Sequence, residues 1–136
     1  MTIRKYEGSW VLLPELSFYQ EGEIPQAGRY DINALEKDIS FSVHWVVSEE
    51  EHSLEFTGPL DGQLHSSDLL PEAYTSYTHV DDQTLESSLV VNDIEVAFAR
   101  RQVSNDGDLL AVLQVNRKAN GSIVRISQVY RRSQKR

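Results

Sequence analysis

Apolar and polar residues alternate along much of this chain, and the clearest example lies at residues 39–47. One side of that run carries Ile39, Phe41, Val43, Trp45 and Val47. A period of two residues is typical of a β-strand with one buried face, because successive side chains point to opposite sides. Weaker alternation at 28–35 and 74–80 predicts further strands.

Residues 84–132 contain four runs rich in Val, Ile, Leu and Phe, separated by short turn signals. The turns fall at 92–93, at 104–108 and at Asn120-Gly121. Asn-Gly tolerates the positive φ angles of a tight hairpin. Strands joined so closely are antiparallel neighbours, because a parallel return needs a crossover of about a dozen residues. The sequence therefore predicts a four-strand meander in this half.

The whole chain contains about nine or ten short strands at a spacing of roughly 8–12 residues, a pattern of all-β sandwiches and barrels. Residues 15–27 lack periodicity but carry apolar side chains, which favours a lid or packed cover. Consecutive hairpins favour an up-and-down barrel, whose closure removes exposed sheet edges. We predict one all-β domain over 1–136: a single antiparallel up-and-down β-barrel of about eight to ten strands, with the barrel at 7–132 and a basic tail at 133–136.

Composition and charge limit the classes of partner that the protein could bind. The chain has 136 residues, no cysteine and a net charge of −8, from 21 acidic and 13 basic residues. An acidic body argues against nucleic acid as a partner, and no apolar stretch reaches the roughly 18 residues of a membrane span. We therefore expect a cytoplasmic protein. All seven charged residues from Arg117 onward are basic; they either offset acidic neighbours in the sheet or bind an anionic partner.

Two short motifs mark the ends of the predicted barrel. Gly8-Ser9-Trp10 opens the first strand, and the last strand ends in Gln128-Val129-Tyr130-Arg131-Arg132. Both resemble motifs of the calycins, the superfamily of lipocalins and fatty-acid-binding proteins. The resemblance implies that Trp10 closes the barrel base beneath Arg132 or Arg131, and that Tyr130 holds a ligand carboxylate. Gln128 stands where the family has arginine, and the helical lid of that family has no counterpart here.

The strand at 94–101 places Ile94, Val96, Phe98 and Arg100 on one face. If this face lines the lumen, Arg100 is a cation in an apolar cavity and needs an acid, polar groups or an anionic ligand. The alternative is that Arg100 reaches solvent near the strand end. We predict that Arg100, Gln128 and Tyr130 bind the polar end of a small, mostly apolar ligand. The remaining predicted lining residues are Tyr30, Phe41, Trp45, Phe56 and Phe98.

Two other functions stay open at this point. A barrel with a solid core would suit an interaction module, such as a homodimer formed through outward Val46, Val90, Val112 and Val129. An isomerase or cyclase would use His44 or His79 as its base. The sequence contains no nucleophile motif, metal-ligand spacing or phosphate-binding loop. We therefore expect no cofactor, no metal and no catalytic set, and the leading hypothesis is binding of a small hydrophobic or amphipathic molecule.

Overall fold

The computed structural model describes residues 4–67 and 71–133, and the fold within them is all-β, as predicted. A short 3₁₀ turn, Pro14–Leu16, follows the first strand. Within residues 4–67 and 71–133, no helical segment could span a lipid bilayer. The strands are β1 (Gly8–Leu12), β2 (Phe18–Tyr19), β3 (Ala27–Ala34), β4 (Asp38–Val47), β5 (Glu50–Pro59), β6 (His65–Ser67), β7 (Ala73–Asp81), β8 (Thr84–Val91), β9 (Ile94–Val103), β10 (Leu109–Arg117) and β11 (Ile123–Arg132).

The described strands form one antiparallel sheet, in which ten strands curl into a nearly closed barrel and β2 pairs with β11 beside them. Its order is β5-β4-β3-β1-β11-β10-β9-β8-β7-β6, so each hairpin neighbour in sequence is a neighbour in space. Strand β1 joins the two halves because it pairs with both β3 and β11. The up-and-down barrel prediction is confirmed. Of the basic tail predicted at 133–136, residues 134–136 lie outside the described residues.

The barrel is not fully closed, because none of the described ladders joins β5 to β6 or β7. Side chains close this gap instead. The ring of Tyr77 lies against Gly58, and Leu60 packs on the core between the two edges. The Gly62 amide donates to the carbonyl of Tyr77 at 2.9 Å. The two sheet edges are thus joined by packing and one backbone hydrogen bond.

One end of the barrel is sealed by Trp10 and Arg132, which face each other across β1 and β11. The Arg132 guanidinium lies 4.1 Å from the indole centroid. It also donates to the carbonyls of Gly107 at 2.7 Å, Glu7 at 2.9 Å and Lys5 at 2.7 Å. Arg131 points to the opposite, exposed side of β11. The alternating parity of a strand therefore selects Arg132, and the placement of Arg131 at this seal is wrong.

Residues 13–26, here called the mouth segment, run across the other end of the barrel. The Leu13 amide donates to Val129 at 2.8 Å, and the Gln20 amide to Arg125 at 3.0 Å, so one edge follows β11. The other edge is held by Ser48, whose hydroxyl donates to Glu23 at 3.0 Å. The predicted cover at 15–27 corresponds to this segment, built from a 3₁₀ turn and the two-residue strand β2.

Candidate ligand-binding cavity

The barrel encloses a cavity of about 420 Å³. Its space arises where small residues face inward: Ala97 and Ala99 on β9 and Gly28 on β3. A Cβ at Gly28 would already come within 3.2 Å of Leu12. The barrel is therefore not packed solid, contrary to the solid-core alternative. Its lining also includes Leu12, Tyr19, Glu23, Pro25, Tyr30, Val43, Trp45, Val47, Leu54, Phe56, Thr75, Tyr77, Ser87, Ser88, Leu89, Phe98, Arg101, Gln114, Asn116, Gln128 and Tyr130.

Arg101 supplies a buried positive charge to this cavity, since only 4% of the residue is exposed. Its Nε donates to the Tyr30 hydroxyl, and one terminal nitrogen donates to Ser87 Oγ at 3.0 Å. The guanidinium carbon lies 4.7 Å from the centroid of Phe41, within cation–π range. None of the described carboxylates forms an ion pair with Arg101. Neutral groups therefore surround this cation at the cavity wall.

Arg100 does not face the cavity, and the inward position predicted for it is wrong. Its side chain is half exposed on the outer face of β9, where Nε lies 2.8 Å from a Glu86 carboxylate oxygen. The register between β8 and β9 shifts at Leu89/Val90, opposite Val96, and beyond this shift the inward positions are Ala97, Ala99 and Arg101. Phe98 is near Arg100, 6.0 Å from its guanidinium, and still borders the cavity.

Tyr130 is 3% exposed and is linked to Arg101 through Tyr30, whose ring lies 5.6 Å from the Tyr130 ring and whose hydroxyl accepts from Arg101. Burial raises the pKa of its phenol, and nearby Tyr30 and Tyr19 raise that pKa further, while Arg101 opposes them. The hydroxyl therefore stays protonated and remains a donor. No hydrogen bond joins it to another described side chain. The structure thus brings a phenol with a free donor and a guanidinium to one wall of the cavity.

Gln128 also faces the cavity, as predicted, but it does not contact Arg101. Its Nε2 donates to the Tyr19 hydroxyl at 2.6 Å, and its Oε1 accepts from Gln114 Nε2 at 3.2 Å. Burial raises the pKa of Tyr19, so this phenol is a neutral member of the chain. The Gln114–Gln128–Tyr19 chain connects β10 and β11 to the mouth segment.

Aromatic residues form a further wall of the cavity. Tyr30, Trp45 and Phe56 border the cavity as predicted. Phe41 was predicted to line the cavity, but it does not border it: it lies behind these residues, 1% exposed and stacked on Phe56 with 4.7 Å between ring centroids. Tyr77 completes the cluster at 5.4 Å from Phe41. This wall is well packed and apolar, apart from the phenols of Tyr30 and Tyr77.

Sequence reasoning missed the polar lining residues Arg101, Ser87, Gln114 and Asn116. Gln114 and Asn116 follow buried Val112 at intervals of two, so all three residues share the inner face of the strand at 109–117. The positions of these two polar residues could therefore have shown which face of this apolar run is turned inward. Counting backward from buried Val103 places Arg101 inward in the same way. Alternation read from the start of β9 fails because of the register shift.

The histidines considered as catalytic bases are far apart in the fold. His44 is exposed on the outer face of β4, and its Nε2 lies 3.2 Å from Ser42 Oγ. His79 lies near the sealed end, with Nδ1 2.6 Å from the Tyr6 hydroxyl. Neither borders the cavity. Within 4–67 and 71–133, no three His, Asp or Glu side chains gather in a group that could hold a metal ion.

No protein-family model matches the sequence, and no curated protein sequence matches it. Solved structures do resemble it. A secretory abundant heat soluble protein from Ramazzottius varieornatus gives a TM-score of 0.67 at 12% identity, over 97% of this chain and 98% of that chain. A fatty acid binding protein from Schistosoma mansoni, in complex with arachidonic acid, gives 0.65 at 10% identity over 98% and 100%. The zebrafish ileal bile acid-binding protein, complexed with cholic acid, gives 0.58 at 9% identity over 95% and 99%.

At such low identities the likeness defines the fold alone. The protein has a calycin-like barrel, as the end motifs indicated.

Proposed function

We propose that this barrel binds a small, mostly apolar molecule that carries an anionic group, with the anion held by Arg101 and Tyr130. The observation that carries the proposal is the burial of Arg101 against a cavity without a carboxylate partner among the described residues. Burying an uncompensated charge costs several kcal/mol, so such a residue is retained where it meets a partner of opposite charge.

The arrangement around Arg101 fits an oxyanion. Tyr30 and Ser87 occupy two of its donors and fix the guanidinium plane, while the Tyr130 hydroxyl supplies a further donor nearby. A planar guanidinium can bind a carboxylate through parallel hydrogen bonds. Trp45 and Phe56 offer apolar surface for the rest of the ligand. Arg101 thus takes the anion-binding role first predicted for Arg100. Gln128 is hydrogen-bonded to Tyr19 and Gln114 and forms part of the cavity wall, without contacting the anion.

Two solved structures of the same fold hold acidic lipids, arachidonic acid in one and cholic acid in the other. Their ligands combine a carboxyl group with a large apolar body, which is the combination that we propose for this cavity. The competing dimer hypothesis is weakened because Val112, one of its four outward residues, is 1% exposed and faces the interior. Neither His44 nor His79 reaches the cavity to act as a base. The cytoplasmic location stays a prediction.

Two adjacent arginines on opposite faces of β9 provide a matched test. Calorimetric titration with dodecanoate and with 1-dodecanol compares an anionic and a neutral ligand of the same chain length. Wild-type protein should bind dodecanoate, and Arg101→Met should weaken it about 10- to 100-fold, because a charged hydrogen-bonded contact contributes about 1.5–3 kcal/mol. Affinity for 1-dodecanol should change far less.

Arg100→Met removes the same charge from the outer face and should leave both affinities unchanged. Equal losses for the acid and the alcohol in Arg101→Met would mean that this residue shapes the cavity without recognising charge. Absence of dodecanoate binding, and of binding by other apolar acids, in the wild-type protein would refute the proposed function.

A further inference from the structure

The inner surface of the barrel carries a polar wall and an apolar wall, and the intervening strands β7–β9 add the polar residues Thr75, Ser87, Ser88 and Arg101. The polar wall lies on β10 and β11 and is defined by Gln114, Asn116, Gln128 and Tyr130, with Tyr19 of β2 beside it. The apolar wall lies on β4 and β5 and is defined by Val43, Trp45, Val47, Leu54 and Phe56. In the ten-strand ring order, β5 is five places from β10, so the two walls face each other.

The polar wall extends along the barrel and is not confined to the Arg101 end. Tyr130 pairs with Leu110, and Asn116 lies six residues further along β10. At the rise of a β-strand these six residues span roughly 20 Å. Gln114 and Gln128 occupy the interval. Hydrogen-bonding groups therefore accompany a ligand over most of its length, beyond the contact with its anionic end.

These side chains retain hydrogen-bonding capacity that other described residues do not use. Gln114 gives one amide hydrogen to Gln128, which leaves its other hydrogen and its Oε1 without a described partner. The amide of Asn116 and the hydroxyl of Tyr130 form no hydrogen bond within the described chain. A carboxamide has two donors and an oxygen acceptor, so the wall can both donate to and accept from hydroxyl groups.

A plain alkyl chain fits this interior poorly. It would displace water from the polar wall without offering hydrogen bonds in place of those that the wall makes to water. Each buried amide left unsatisfied costs about 1–3 kcal/mol. A molecule with an apolar face and a hydroxylated face would satisfy both walls at once. Building on the proposed function, we infer that the preferred ligands are facially amphipathic acids: rigid or extended carboxylic acids whose hydroxyl groups lie along one face.

Three acids separate this inference from the proposed function. Cholic acid has hydroxyl groups on one face of a rigid skeleton, 5β-cholanic acid has the same skeleton and carboxyl group without hydroxyls, and dodecanoate is a plain chain. Calorimetry measures each dissociation constant for wild type, Asn116→Leu and Gln114→Leu. Both variants should weaken cholate about tenfold, the equivalent of one satisfied hydrogen bond, and should strengthen cholanate and dodecanoate, because these ligands would no longer cover an unsatisfied amide.

Gln102→Leu makes the same kind of change on the exposed outer face of β9 and should alter none of the three. Asn116→Leu tests the wall even if loss of the Gln114–Gln128 contact disturbs folding, because Asn116 has no described hydrogen bond to lose. Equal weakening of cholate and cholanate would overturn the inference, since the amides would then shape the wall or hold water only.

Binding of dodecanoate or cholanate without binding of cholate would also overturn it, while the proposed function would stand. Failure of all three acids to bind would refute the proposed function itself.

Discussion

A Cβ atom on Gly58 would lie 2.5 Å from Cε2 of Tyr77, so the tyrosine ring rests directly on the glycine backbone. This contact crosses the place where the described β5 and β7 share no ladder. Tyr77 cannot easily withdraw, because it is 3% exposed and packed against Phe41 and Phe56. Gly58 is required here for close approach and not for an unusual φ angle.

Gly58→Val should therefore destabilise the barrel by about 1–3 kcal/mol, the typical cost of inserting methyl groups into a packed core. Urea unfolding followed by tryptophan fluorescence measures the change. In a Tyr77→Leu background the same substitution should cost much less, because the ring that it meets is gone. Equal costs in the two backgrounds would show that Gly58 matters for some other reason.

Removal of the Arg132 guanidinium should open the sealed end. Arg132→Met loses a cation–π contact and three hydrogen bonds to carbonyls, and we expect the free energy of unfolding to fall by about 2–4 kcal/mol. Arg131→Met is the control: it removes an exposed arginine one position along the same strand and should change stability by less than about 0.5 kcal/mol. Comparable losses in both variants would contradict the role given to Arg132.

Arg101 should have the opposite effect on ligand-free protein. A buried charge without an ionic partner carries an uncompensated desolvation cost, which the uncharged methionine side chain avoids. Arg101→Met should therefore unfold at the same or a higher urea concentration than wild type in the absence of ligand. A marked loss of stability would mean that Arg101 is a structural element of the core, held there by Tyr30, Ser87 and Phe41 alone.

Alkaline pH should weaken the fold through Tyr6. Desolvation is the main cause that raises the pKa of Tyr6 from 10.0 to about 12, with Glu7 and Asp81 adding to the shift and Arg4 opposing it. Since the folded state holds this proton more tightly, the associated stability is complete below pH 10.0 and is lost as the pH rises to about 12. The full shift corresponds to about 2–3 kcal/mol.

Urea unfolding between pH 9 and pH 12 would measure this slope. Tyr6→Phe also loses the hydrogen bond to His79 and should be less stable at pH 9. Its stability should nevertheless fall less steeply above pH 10. A slope identical to that of wild type would assign the alkaline sensitivity to other tyrosines, such as buried Tyr130, whose pKa burial also raises.

The barrel could be predicted from the sequence because most strands show the two-residue alternation of apolar and polar positions. Each short turn then makes the two strands that it connects antiparallel neighbours. The inward faces of β3, β4 and β11 follow directly from Tyr30, Trp45 and Tyr130. The face of β9 could not be read in this way. One extra residue opposite Leu89/Val90 changes the side that every later residue faces, and consecutive Arg100 and Arg101 are chemically indistinguishable.

The hydrogen bonds that connect the polar wall were also beyond the reach of alternation. Gln114 and Gln128 lie on different strands, and only the strand pairing places their amides within 3.2 Å. The Tyr19 hydroxyl joins them across more than a hundred residues, from a segment without periodicity. A site built from such contacts depends on registers between strands, which depend in turn on the packing of the whole barrel.

The pairing of β1 with β11 has a consequence for biosynthesis. Trp10 emerges from the ribosome early, but its partner Arg132 lies 122 residues later. Hairpins such as β3–β4 and β8–β9 can form while translation continues, whereas the ring closes only after β11 has been released. Contacts of such long sequence separation slow folding, so the nascent chain exposes the future cavity wall to chaperones until the last strand arrives.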